Sequence, residues 1–156
     1  MGELTTGEPE HLAFEVNVTP RGKDRPRASV VFKPGRRLGV HMRNTPETRE
    51  FEGAVTAAAV AAMAGRPPMA GPLRLDVTAV MPIPPSWSRA KQGRAVAGTE
   101  LPTGKPDASN IVKAVEDALN AVAYADDSQL VDLAARKVYG KRPGLYVVVS
   151  QFKGGR

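Results

Sequence analysis

The chain has 156 residues, 42% apolar and only 5% aromatic, which suits one domain whose core leans on Val, Leu, Ile and Ala. It has no cysteine, excluding disulfides and thiolate metal sites and fitting a reducing, cytoplasmic setting. The formal charge is +6; the start MGELTTGEPEH is unlike a signal peptide, and the longest apolar run, AVTAAAVAAMA (54–64), is too short to span a bilayer, so a soluble protein with no membrane partner is expected.

In chain order, residues 1–11 read as a flexible tail and 12–153 as a single domain. LAFEVNVT (12–19) alternates Leu12, Phe14, Val16 and Val18 with smaller or polar partners, the pattern of a half-buried strand. The next stretch concentrates charge: Arg21, Lys23, Arg25, Arg27, Lys33, Arg36, Arg37 and Arg43 stand against Asp24 alone. A field of that kind draws polyanions, of which nucleic acid is the commonest; the plainer alternative is a solvated loop. SVVF and RLGVHM are short candidate strands about the turn KPGR. Thr45-Pro46-Glu47 is a helix start, with a hydroxyl cap, proline in the first position and an acid in the first turn. That helix runs to about Met63 and ends at Gly65-Arg66-Pro67-Pro68.

LRLDVTAVM (73–81) alternates as a strand and is closed by Pro82, Pro84 and Pro85. SWSRAKQGRAVA (86–97) holds a short basic helix, residues 98–106 form an extended connector, and a helix begins near Ala108. Strands follow at Gln129 to Tyr139 and Leu145 to Phe152, joined as a hairpin by GKRPG. The expected architecture is α+β: a mixed sheet of four or more strands flanked by two main helices.

Projected at about 100° per residue, the helix after Ala108 separates into two faces. Ser109, Asn110, Lys113, Glu116, Asp117 and Asn120 share one arc, while Ile111, Ala114, Val115, Ala118, Leu119 and Val122 fill the other. Asp107 stands at the helix head, where capping of free amides is its commonest duty. Asp126-Asp127 equally reads as a turn before a strand. Together the two sets suggest oxygen ligands for a hard divalent cation. A helix ending near Asn120 rises about 20 Å, and the seven residues to Asp127 return about 23 Å if extended, so Asp127 regains Asp107 only if AVAYAD runs nearly straight.

KPDASNIVKAVEDALNAVAYADDSQLVDLAARKVYG (105–140) resembles the signature of the RusA-type Holliday junction resolvases, crossover junction endodeoxyribonucleases. That pattern is roughly K/R-P-D-x-D-N, a lysine, D-A-L-N-G, an aromatic residue and D-D-x-Q-V/I; GKDRPR and MPIPPSWS upstream are similar to further family segments. The resemblance implies a homodimer that binds four-way DNA junctions in recombination and repair and makes paired symmetric nicks with Mg²⁺, for which Mn²⁺ substitutes. It implies Asp107, Asp127 and Lys113 as catalytic residues, and Asp107, Asp127 and Asp126 as metal ligands with Ser109 in the place of a further ligating Asp. Serine brings no charge, so Asp126, Asp117 or Asp76 is needed to compensate; the alternative is a junction-binding protein with weakened or no nuclease activity. Ala121 stands where glycine is usual, leaving Asn120 to serve as a left-handed cap. Arg21, Lys23, Arg25 and Arg27, then Arg89, Lys91 and Arg94, are the first candidates for DNA phosphates. Trp87 is a stacking residue or simple packing, and His11 and His41 carry no assigned role.

Overall fold

A computed structural model describes residues 10–24, 27–31, 34–35 and 39–154. The strands β1 (His11–Val16), β4 (Leu73–Pro82), β5 (Leu130–Gly140) and β6 (Gly144–Gln151) form a mixed sheet in the order β1-β6-β4-β5, and β2 (Arg27–Val31) and β3 (Gly39–Arg43) pair as a separate antiparallel ribbon. The helices are α1 (Pro46–Met63), α2 (Arg89–Ala97) and α3 (Ala108–Leu119). The fold is α+β, as the periodicities imply.

Alternation decides which face of the sheet is covered. Leu73, Leu75, Val77, Ala79 and Met81 of β4 are buried, with Leu145, Val147 and Val149 of β6 beside them. Phe51, Val55 and Ala59 of α1 and Ile111, Val115 and Leu119 of α3 close that core. The intervening residues of β4, Arg74, Asp76 and Thr78, face the opposite, helix-free side, where Asp76 accepts from Arg136 at 3.1 Å.

The expected hairpin between the last two strands is not formed. β5 pairs in parallel with β4, and β6 pairs antiparallel with the other edge of β4, so the connection 141–143 arches over the end of β4. Glycines permit the arch: a Cβ at Gly144 would lie 2.8 Å from the Val16 carbonyl oxygen, and one at Gly140 would collide with Val80. Local pattern showed two strands and a turn, but not the third strand lying between them.

α1 starts as its sequence dictates. Thr45 Oγ1 accepts from the Thr48 N–H at 3.2 Å. Asp24, the lone acid of the basic stretch, accepts from the hydroxyls of Thr45 at 2.8 Å and Thr48 at 3.2 Å, tying that stretch to the helix head. α3 ends at Leu119, but the residue that turns left-handed is Ala121 (φ 64), while Asn120 keeps φ −60. The expectation for Asn120 is corrected accordingly. A left-handed non-glycine costs about 1–2 kcal/mol, offset in part by the about 0.5–1 kcal/mol that glycine loses in backbone entropy. Ala121→Gly should therefore stabilise the protein by about 0.5–1 kcal/mol in urea unfolding. Among the described residues no helix is long and apolar enough to cross a membrane.

Candidate active site

Two loops meet at the head of α3. The segment 19–24 lies over it closely enough that a Cβ on Gly22 would sit 2.9 Å from the Asn110 side chain and 3.1 Å from that of Pro106. The Lys23 N–H donates to the Asn110 carbonyl at 3.1 Å. The loop bearing Asp107 is held from the sheet, where the Lys137 ammonium donates to the carbonyls of Gly104 (2.7 Å) and Pro106 (2.9 Å). Between the loops opens a cleft of about 720 Å³ lined by Arg21, Lys23, Lys105, Asp107 and Asn110 among others.

Asp107 occupies the N-cap position of α3, yet its side chain makes no capping hydrogen bond and is exposed. The ordinary duty of an aspartate at this position is thus not being performed. Its carboxylate stands free at the mouth of a cleft whose other charged walls include Arg21 and Lys105.

The path to Asp127 is not the straight run expected. AVAYAD does not run straight: Val122 and Ala123 both donate to the Leu119 carbonyl at 3.0 Å, coiling the chain just past the helix. Tyr124 then anchors it, wholly buried and donating its hydroxyl to the Glu116 carbonyl at 2.8 Å. Asp127 meets α3 at Lys113, whose ammonium donates to its carboxylate at 3.4 Å. The Lys113 ammonium also lies 3.5 Å from Asp117, one turn further along the helix. Burial opposes its charge, but Asp117 and Asp127 outweigh burial and hold its pKa above the usual lysine value.

Gln129 organises the acidic turn, a role the sequence reading missed. Its Oε1 accepts from the N–H groups of Ala125 (3.0 Å) and Asp126 (3.2 Å), and its Nε2 donates to the carbonyls of Met69 and Gly71, both at 3.0 Å. Asp126 caps the 3-10 turn Asp127–Gln129 by accepting from Ser128 N–H at 2.9 Å, which holds its pKa below the usual carboxylate value. The signal available was the capping-box spacing, Asp126 to Gln129.

The donors at the candidate site are carboxylates, a hydroxyl and an amide, hard oxygen ligands of the kind a divalent cation takes. Among the described residues, however, no three His, Asp or Glu side chains are grouped as a metal would require. Asp126 is engaged by its cap and Asp127 by Lys113. Of the acids considered as substitutes at Ser109, Asp76 is excluded by facing the other side of the sheet. Asp117 is held by Lys113 and Lys23. Asp126 keeps one oxygen uncommitted by its cap.

The basic candidates divide as well. Arg21 lines the cleft, but Lys23 turns its ammonium inward onto Asp117 and lies 3.9 Å from Glu52, bracing the loop in place of facing outward. Arg25 lies outside the described residues, and Arg27 begins β2. Lys91 sits 3.9 Å over the Trp87 ring, and Trp87 packs edge-on against Tyr139 with ring centres 5.1 Å apart. The Trp87 side chain is thus used in packing. Arg94 and Lys91 approach Glu100 at 3.4 and 4.0 Å, and Arg89 is exposed at the start of α2.

The endodeoxyribonuclease RusA family model matches residues 17–150. The chain belongs to the RusA endodeoxyribonuclease family. The uncharacterized protein YqaN of Bacillus subtilis (strain 168) is 38% identical to it over 144 residues, covering 90% of this chain and 96% of that protein. RusA-type nucleases are generally dependent on a divalent metal, which accords with the hard-oxygen donors around Asp107 and Asp127.

Glu52 carries a pH dependence of its own. Burial pushes its pKa above the ordinary 4.5, Lys23 works against that and Asp117 with it, and its Oε1 has no hydrogen-bond partner. A carboxyl raised on folding favours the folded state while protonated and costs stability as pH rises through its folded value. Glu52→Gln should therefore be the more stable protein at pH 7, and the difference should shrink below the ordinary value, as followed by urea unfolding at several pH values.

Proposed function

We propose that this protein is a divalent-metal-dependent endonuclease that binds four-way DNA junctions as a homodimer and nicks two opposing strands symmetrically, in recombination and repair. One observation carries the reading: an aspartate at a helix head whose carboxylate caps nothing and opens onto a cleft bordered by basic residues. Membership of the family supplies the reaction class.

The residues divide the work. Arg21 and Lys105 at the cleft, with Arg25, Arg27 and Arg89 as further candidates, attract the phosphate backbone without reading sequence. Lys91 and Arg94 join them only in so far as Glu100 releases them. Asp107 and Asp127, with the free oxygen of Asp126 and the Ser109 hydroxyl, would hold Mg²⁺ or Mn²⁺. When bound, that ion supplies a low-pKa water and neutralises charge building on the phosphoryl oxygens. Lys113 gives its charge to the scissile phosphate. Lys137 and Gln129 keep the two acid-bearing loops in place.

A second reading, a junction binder with reduced nuclease activity, is favoured by the exposed Ser109 together with the lack of a three-acid group among the described residues. The two separate in one titration. Ser109→Asp should lower the Mg²⁺ concentration for half-maximal junction nicking at least about tenfold, within the range for adjusting metal-site ligation. If that variant nicks no better at any Mg²⁺ concentration, Ser109 is not a ligand position. Retardation of junctions without nicking by the parent protein favours the second reading, and equal affinity for linear duplex removes both.

A further inference from the structure

We propose that β5 is the strand by which two copies of this chain join, pairing antiparallel with the partner's β5 about a two-fold axis at Ala134 to give one continuous eight-stranded sheet. This rests on the homodimer reading above and specifies its interface. Three observations point here. β5 is the longest strand of the main sheet at 11 residues, and among the described residues no strand pairs with its outer side. A long unpaired edge is a template for another chain, and such edges are usually short or covered. The opposite edge, β1, has six residues and takes the Arg66 guanidinium onto its His11 carbonyl at 3.5 Å. Beside the free edge of β5, Leu133 is 47% and Val131 57% exposed.

Charge then selects a register. In a two-fold antiparallel pair, residues equally spaced about the axis oppose one another, and closed homodimers are built on such self-matching patches. An axis at Ala134 sets Asp132 against the partner's Arg136, and Arg136 against the partner's Asp132. An axis at Asp132 or Arg136 would set like charges face to face, and one at Leu133 or Ala135 would leave both opposite uncharged residues. Opposite charges directly across a strand pair stabilise it and like charges oppose it. Within one chain Asp132 already bonds Arg74, and Arg136 bonds Asp76. The proposed register joins these pairs into one alternating row across the axis, on the helix-free face. On the other face it sets Leu133 against the partner's Ala135. The irregularity in β5 beside Leu73 and Arg74 falls outside Asp132–Arg136.

The absence of native cysteine makes the test direct. Ala134→Cys places two thiols across the axis with Cα atoms about 4.5–5.5 Å apart, inside the range that a disulfide bridges. Under mild oxidation the variant should run as a covalent dimer, released by reductant, whereas Val148→Cys, exposed on the helix-free face, should not. Leu133→Lys, at a half-exposed site that tolerates a charge in the monomer, should raise the dimer dissociation constant at least about tenfold in light scattering. A parent protein of dimeric mass whose Ala134→Cys variant stays uncrosslinked, or whose Val148→Cys variant crosslinks in its place, overturns the β5 interface and leaves the homodimer. A monomeric parent at all concentrations overturns the homodimer reading and the interface together.

Discussion

Asp107→Ala is expected to lower junction nicking at least about 100-fold while changing unfolding free energy by no more than about 0.5 kcal/mol. The two halves of this expectation come from one geometry. An aspartate that caps a helix costs about 1 kcal/mol when truncated to alanine. Asp107 makes no such bond and is exposed, so its removal falls in the range of plain surface substitutions. The loss of activity has another source. Even residues that merely support metal ligands cost 10–100-fold when changed, and a ligand itself should exceed that. Junction affinity without metal should be unchanged or higher, since a negative charge leaves a basic cleft. Nicking assays, gel retardation and urea unfolding on one preparation separate the three quantities. A variant destabilised by 1 kcal/mol or more but still nicking would return Asp107 to the role of a cap.

Gln129→Leu should be the most damaging change outside the charged residues, costing about 2–4 kcal/mol in stability and most of the nicking activity. Its side-chain amide uses both ends, taking two N–H groups of the acidic turn and giving to two carbonyls of the strand-leading segment 69–71. A net hydrogen bond is worth about 1 kcal/mol, and leucine satisfies none of the four. Gln129→Glu is the informative partner. It retains acceptors for Ala125 and Asp126 but sets an oxygen against the Met69 and Gly71 carbonyls, so it should fall between parent and leucine. The turn presents Asp127 to Lys113, and a loosened turn should raise the metal requirement more than it weakens DNA binding.

How much of this was legible in the sequence depends on the range of the interaction. The cap at Thr45, the two faces of α3 and the alternation of β4 are local, set by residues one to four apart, and all are present as read. The family signature was legible for a related reason: its positions are fixed in spacing along one continuous stretch. What failed was non-local. Whether β5 and β6 pair depends on β4, some fifty residues earlier, entering between them. The path of the chain from Asn120 to Asp127 depends on Tyr124 finding a buried pocket against α3 and on Gln129 reaching back to Met69. The direction of Lys23, inward onto Asp117 and Glu52, was hidden because a charge count has no direction. Ala121 shows a further limit: a conformation that favours glycine is held by alanine because the surrounding turn dictates it.

The central claim is that the acids around α3 serve metal-dependent cutting of branched DNA. Strand-mapped cleavage of an immobile four-way junction by the intact protein, with Mg²⁺ and with chelator in its place, tests it most directly. Nicks are expected at symmetry-related positions on two opposing strands, seen only with the metal and lost in Asp127→Asn. Cleavage that persists in chelator, or that survives Asp127→Asn at the parent rate, would contradict it.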